Sequence, residues 1–286
     1  MSKKAFTITI ILLSLAGGLA FSPIGSWLFA QPINHKSEHF EIYADSYTSS
    51  LEEVEELTTY GEALYFAIET ILPEEVPLTP VIVIHLNGRL AHQAPYVDGQ
   101  GDIQLYRYPA EEGGYKAMLP HELVHAIAFD YALEQGALEW ASLGFYNEAW
   151  AEFLAQVIAP SKNSFPLYGF NDDVIAGYWA KSSRLSMEQL RKSHSELNMR
   201  CLHEAYVMRA SWIKFINKTY GQDKLLRIMY QGIEMTDEVV EEILGKSLST
   251  IDQAWRRKLI EQHEAHPEAE QQTQDYLTRI GAYQPC

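Results

Sequence analysis

"MLPHELVHAIAFD", Met118 to Asp130, holds two histidines four residues apart, His121 and His125, with Glu122 between them. On an α-helix, residues four apart stand one above the other, so the two imidazoles face a single point. Glu122 lies one step round, where its carboxylate reaches a water held at that point instead of the point itself. The spacing suits a division of labour in which two neutral nitrogens bind zinc and one carboxylate takes the proton of the water. The flanks Leu119, Leu123, Val124, Ala126, Ile127 and Phe129 predict a mostly buried helix, and two histidines without partners there would be costly. Pro120 precedes the first histidine and must lie in the first turn or force a kink.

A catalytic zinc takes three protein ligands and leaves one position open. The candidate third ligand is in "GFYNEAWAEFLA", Gly144 to Ala155. Glu148 lies far enough beyond His125 for the chain to turn and run a second helix back beside the first. Glu152 follows four residues later on the same face, placed to accept a hydrogen bond from a ligating imidazole and so fix its tautomer. Asn147 can serve the other histidine in the same way. Trp150, Phe153 and Leu154 leave little of this helix for solvent.

Around these segments the pattern is α+β: a small mixed or antiparallel sheet with a flanking helix, then a mostly helical half. "HFEIYAD" (His39 to Asp45) alternates as a strand does, and "TPVIVIHL" (Thr79 to Leu86) is a β-branched run. Between them, residues 47–71 space Leu51, Val54, Leu57, Leu64, Ile68 and Ile71 as a helix does, with Ser49 or Ser50 as cap and Pro73 as stop. "DIQLYRYP" (Asp102 to Pro109) alternates and ends at a proline, which predicts a sheet-edge strand. Helices are expected from Phe145 to about Ala159, near "SMEQLRKS", and from Leu202 to a C-cap at Gly221, with two or three more to about residue 265. One domain is expected over 34–265, with a sheet-containing half (34–115) and a helical half (116–265), followed by a polar, solvated tail over 266–286.

A formal net charge of −16 leaves no basic stripe for phosphates, so nucleic acid is excluded as a partner, and a polybasic membrane-surface mode is disfavoured. Residues 1–30 differ in kind: Lys3 and Lys4 precede a long uncharged apolar run. This reads as a secretory signal peptide or a retained signal-anchor helix, and either exports the body, to the periplasm or beyond the cell. Any membrane contact then runs through that segment alone. Cys201 and Cys286, the only cysteines, either pair in one disulfide or stay as two thiols.

H-E-L-V-H followed by N-E-A-W-A-E resembles the gluzincin metallopeptidases, the group of thermolysin and the aminopeptidase N-like enzymes. Glu152 stands where thermolysin's N-E-A-x-x-D has an aspartate. The layout from Phe40 to about Leu244 also resembles the bacterial peptidase-MA-like domains, and "YVMRASWIKFINKTYG" (Tyr206 to Gly221) has the form of their closing helix. The resemblance implies a zincin-like helical half, one Zn2+ per chain held by His121, His125 and Glu148, Glu122 as general base, and a peptide or protein substrate. It places Tyr206 where the aminopeptidase branch keeps a transition-state tyrosine. His203 and His194 flank that region in the sequence and read either as further donors to an oxyanion or as plain structural or surface histidines. No G-x-M-E-N segment precedes the motif helix, so the expectation is an endopeptidase more than an aminopeptidase. The alternative is a non-catalytic zinc-binding envelope domain or scaffold. "HEAH" at His263 to His266 has the wrong spacing for a site and reads as a solvated helix, and "NKT" at Asn217 is a glycosylation triplet that falls mid-helix.

Overall fold

Strands β2 (Phe40–Asp45) and β3 (Ile82–Asn87) bury Phe40, Ile42, Ile82, Ile84 and Leu86 on one face and leave Glu41, Tyr43, Val83, His85 and Asn87 on the other. Period-two burial of this kind makes a sheet that packs helices on one side and meets water on the other. A computed structural model describes residues 32–46, 49–88, 95–107, 114–127, 144–160, 167, 169–182, 185–190, 201–230 and 237–281. The N-terminal segment 1–30, His194, Phe129 and Cys286 lie outside the described residues. The architecture is α+β, a five-stranded mixed sheet followed by a helical half.

The strand order is β1-β2-β3-β5-β4, with β1 (Pro32–Lys36) antiparallel to β2, and β3 parallel to both β2 and β5. The segment expected at the edge is not there. Strand β5 (Ile103–Tyr106) lies between β3 and the two-residue β4 (Tyr96–Val97), which pairs antiparallel to it and takes the edge. The cause is a side-chain-built turn. Asp98 Oδ1 accepts from Gln100 N (2.9 Å) and Asp102 N (3.1 Å), and Gly101, at φ 88°, lets the chain fold back.

Helix α1 (Leu51–Glu69) crosses from β2 to β3 over the sheet, burying Val54, Leu57, Leu64 and Ile68. Ser50 caps it by accepting from Glu53 N at 3.1 Å, and Glu52 and Glu53 sit favourably in its first turn. Glu62 ties α1 to the β1–β2 hairpin: it accepts from Ser37 Oγ (2.6 Å), His39 N (2.9 Å) and the His39 ring (2.7 Å). Burial opposes its ionised form, but the donors outweigh burial and hold its carboxyl below the ordinary range. A carboxyl depressed on folding adds stability above its unfolded pKa of about 4.3 and loses it as pH falls through the folded value. The Tm difference between wild type and Glu62→Gln is therefore expected to be widest near pH 7 and to shrink below about pH 4. Thermal melts at several pH values check this, and a difference independent of pH would count against it.

A 3-10 turn, Gly114–Ala117, leads into α2 (Leu119–Ile127), which packs on β4, β5 and α1. Helices α3 (Gly144–Ile158), α4 (Asp172–Ser182), α5 (Met187–Leu190), α6 (Leu202–Tyr220), α7 (Gln222–Tyr230), α8 (Asp237–Leu244), α9 (Leu248–Ala265) and α10 (Ala269–Ile280) follow. α3 packs against α2 and α6, and α4 against α6 and α9. Four tryptophans, Trp150, Trp179, Trp212 and Trp255, are fully buried among these helices. α6 ends at Gly221, whose φ of 91° few other residues adopt without strain.

Two expectations are corrected here. The region expected as a solvated polar tail holds α10, which packs on α4 and buries Ala269, Thr273, Tyr276 and Leu277. Four contacts at helical spacing suffice to dock a helix whose other residues are polar. The "HEAH" segment is also not fully solvated, because the His263 ring meets Val174 O at 2.9 Å and so joins α9 to α4. At that crossing the backbones nearly touch: a Cβ on Gly177 would lie 2.5 Å from Leu259 O and 2.4 Å from His263 Cβ. Cys201 is disulfide-bonded; Cys286, the other cysteine of the chain, lies outside the described residues.

Candidate metal centre

α2 accommodates Pro120 in its first turn, where the missing N–H has no helical acceptor to lose. His121 N and Glu122 N both bond to Met118 O at 3.1 Å. All nine residues of α2 are buried, so its orientation is set by packing on every side. Its C-terminal end is held from the loop after α1, where Thr79 donates from N to Ile127 O (2.7 Å) and from Oγ1 to Ala126 O (3.1 Å).

α3 runs beside α2 and brings Glu148 to the two histidines. His121 Nε2 lies 3.1 Å from His125 Nε2 and 3.3 Å from Glu148 Oε2, and His125 Nε2 lies 3.7 Å from Glu148 Oε1. The three side chains form a group able to hold a metal ion. The outer ring nitrogens are occupied: His121 Nδ1 faces Glu152 Oε1 at 3.1 Å, and His125 Nδ1 faces Asn147 Oδ1 at 3.0 Å. Both of those oxygens accept, so both Nδ1 atoms donate. In neutral imidazoles this leaves each Nε2 with only a lone pair. Two lone pairs and a carboxylate therefore converge with no proton to share, an arrangement that a cation stabilises. Tetrahedral coordination at about 2.0–2.1 Å separates ligand atoms by roughly 3.3 Å, close to the spacing found. The donor set and its geometry thus fit a metal ion.

The electrostatics agree with a place built for positive charge. Burial disfavours a charged His121, yet Glu148 and Glu152 outweigh it and hold its pKa well above the ordinary histidine value. Burial raises Glu152 despite its bond to His121. Glu122, on the same helix but outside the ligand triangle, is pushed up by burial to about 7. The ligand side chains retain little exposure: 7% for His121, 10% for His125 and 16% for Glu148.

α6 closes the group from above. The Tyr206 ring stands edge-on to His121 at 5.9 Å, and burial with the charges of Glu148, Glu152 and Glu122 drives its hydroxyl well above the ordinary phenol range. His203, one turn earlier, is half-buried and its pKa is lowered by burial. Arg209 went unremarked in the sequence. It is wholly buried, donates to Leu190 O at 2.9 Å, lies 5.9 Å from the Tyr206 ring, and feels the charge of Glu148. The available signal was a guanidinium three residues from Tyr206 among Val207, Met208, Ala210 and Trp212. A cavity of about 570 Å3 opens between α3, α4 and α6, walled in part by Phe153, Gln156, Phe170, Ala210 and Lys218, and half-buried Asn217 also lines it. None of His121, His125 and Glu148 lines it.

No protein-family model, no curated protein and no solved structure matches the chain. Among the described residues, no helix is long and apolar enough to cross a membrane.

Proposed function

We propose that the protein is an exported zinc metallopeptidase of the gluzincin type, more an endopeptidase than an aminopeptidase. The observation that carries this reading is the convergence of His121, His125 and Glu148 with a fourth side chain, the carboxyl of Glu122, on the same helix and outside the triangle. A structural zinc site is closed by four protein ligands and has no use for a neighbouring base, whereas three ligands leave room for a substrate and a water. The resemblance of H-E-L-V-H and N-E-A-W-A-E to the gluzincin motifs points the same way, and the missing G-x-M-E-N segment favours the endopeptidase.

Zinc at this position would polarise the scissile carbonyl and acidify a water towards a pKa of about 7. Glu122 would take a proton from that water and pass it to the leaving amine, as a carboxylate beside the ligand group and outside it is placed to do. Glu152 and Asn147 hold the two imidazoles with their Nε2 lone pairs inward. Tyr206, or His203 in its place, donates to the oxyanion that forms on the substrate.

Elemental analysis of the purified protein tests the metal. About one zinc per chain is expected in the wild type and less than about a tenth in His121→Ala, since a three-ligand site loses its geometry with any one ligand. Less than half a zinc in the wild type, unchanged in His121→Ala, would sink the reading.

A further inference from the structure

His121 is oriented by Glu152 through one oxygen only. Oε1 takes the His121 Nδ1 hydrogen bond, while Oε2 is buried and, among the described residues, has no hydrogen-bond partner. One helical turn further along α3, the amide Nε2 of Gln156 is buried in the same condition. Residues four apart on a helix share a face. Of the two atoms one is an obligate acceptor and the other an obligate donor. The Gln156 side chain is near enough to Glu152 to favour its ionised form. Leaving two buried polar atoms without partners is costly, and a bond between them removes both costs at once.

We infer that Gln156 is a positioning residue of the metal centre: its amide donates to Glu152 Oε2 and completes a line Gln156–Glu152–His121 that points one Nε2 lone pair at the ligand position. Glu152 with both oxygens engaged cannot rotate away from His121, and the ring is held from two steps back. Gln156 also stands in the wall of the 570 Å3 cavity. This role rests on the metal reading above.

The test is a double-mutant cycle in the purified protein, with zinc affinity measured by competition against a chromophoric chelator and thermal stability measured metal-free. Gln156→Glu turns the donor into a second carboxylate at nearly unchanged volume, and is expected to weaken zinc binding about tenfold, the low end for residues that support metal ligands. Gln156→Met removes the donor at similar volume and is expected to weaken it about threefold, keeping a measurable variant should Gln156→Glu fail to fold. The exchange variant, Glu152→Gln with Gln156→Glu, restores one donor facing one acceptor and still offers His121 an oxygen, so it should regain most of the lost affinity. A purely structural role would leave the exchange variant no better than the sum of its single changes. Zinc affinity within twofold of wild type in both single variants overturns the positioning role, even if metal-free melts show the two side chains to be coupled. Additive melts as well overturn the contact itself. A wild-type protein that binds no zinc overturns the metal reading and the positioning role with it, while the metal-free cycle still decides whether Gln156 and Glu152 meet.

Discussion

Glu122→Gln is expected to retain about one zinc per chain and to lower kcat for peptide hydrolysis by on the order of 10^3-fold with little change in KM. The expectation follows from position. Glu122 shares α2 with both histidines but contributes nothing to the triangle that His121, His125 and Glu148 form. Removing its charge thus takes away a proton acceptor and leaves the metal geometry untouched. The amide is nearly isosteric, so packing in this fully buried helix is preserved. Glu148→Gln and His125→Ala should behave differently, losing metal and activity together. Zinc analysis and steady-state kinetics on the same preparations separate the two classes. If Glu122→Gln loses its zinc, Glu122 belongs to the ligand set. If it retains zinc and hydrolyses peptides as well as wild type, the carboxylate is not the base, and a zinc-stabilised binding domain becomes the better account.

Gly177→Ala should be strongly destabilising for a change of one methyl group. The added carbon would stand 2.5 Å from Leu259 O, a backbone atom, and 2.4 Å from His263 Cβ. Neither is the far end of a flexible side chain, so α4 and α9 must move apart. Overpacking of this kind costs roughly 1–3 kcal/mol, and occasionally more. Alanine's better helix propensity returns about 1 kcal/mol at most. Separating the helices also stretches the contact of His263 with Val174 O and that of Gln262 with Asp173, so the upper part of the range is expected. At about 2–4 °C per kcal/mol for a chain of this size, a net cost of about 2 kcal/mol should lower Tm by roughly 4–8 °C. Calorimetry of the variant beside wild type measures it, and an unchanged or higher Tm would show that the crossing relaxes freely.

What could be read in advance follows from how local each signal is. α1, α3 and α6 advertise themselves through apolar residues at helical spacing, and the chemistry of α2 is written in five consecutive letters. Glu148 and Glu152 were legible because a histidine pair asks for a third ligand and for acceptors behind it. Strand β4 was not legible. Two residues carry no periodicity, and the turn that folds them onto β5 is made by Asp98, whose role depends on where Gln100 and Asp102 end up. α10 was hidden by its composition, since four buried residues in a helix of glutamines and acids look like a solvated tail until α4 is there to receive them. Gln156 and Arg209 stayed unread for a different reason: a lone amide or guanidinium on an amphipathic helix has no pattern, and only its neighbours in space give it a function.

The nine described residues of α2 are all buried. A helix enclosed in this way takes most of its stability from the elements packed on it. Before the sheet and α3 close around it, His121 and His125 have no fixed separation and the chain offers a metal ion nothing better than two loose imidazoles. A group able to hold a metal ion therefore exists only in the folded chain, and an ion bound there would add its binding free energy to the stability of the fold. A chelator would then act on the fold as a mild denaturant does, lowering the melting temperature of a loaded chain and leaving that of a metal-free one where it was.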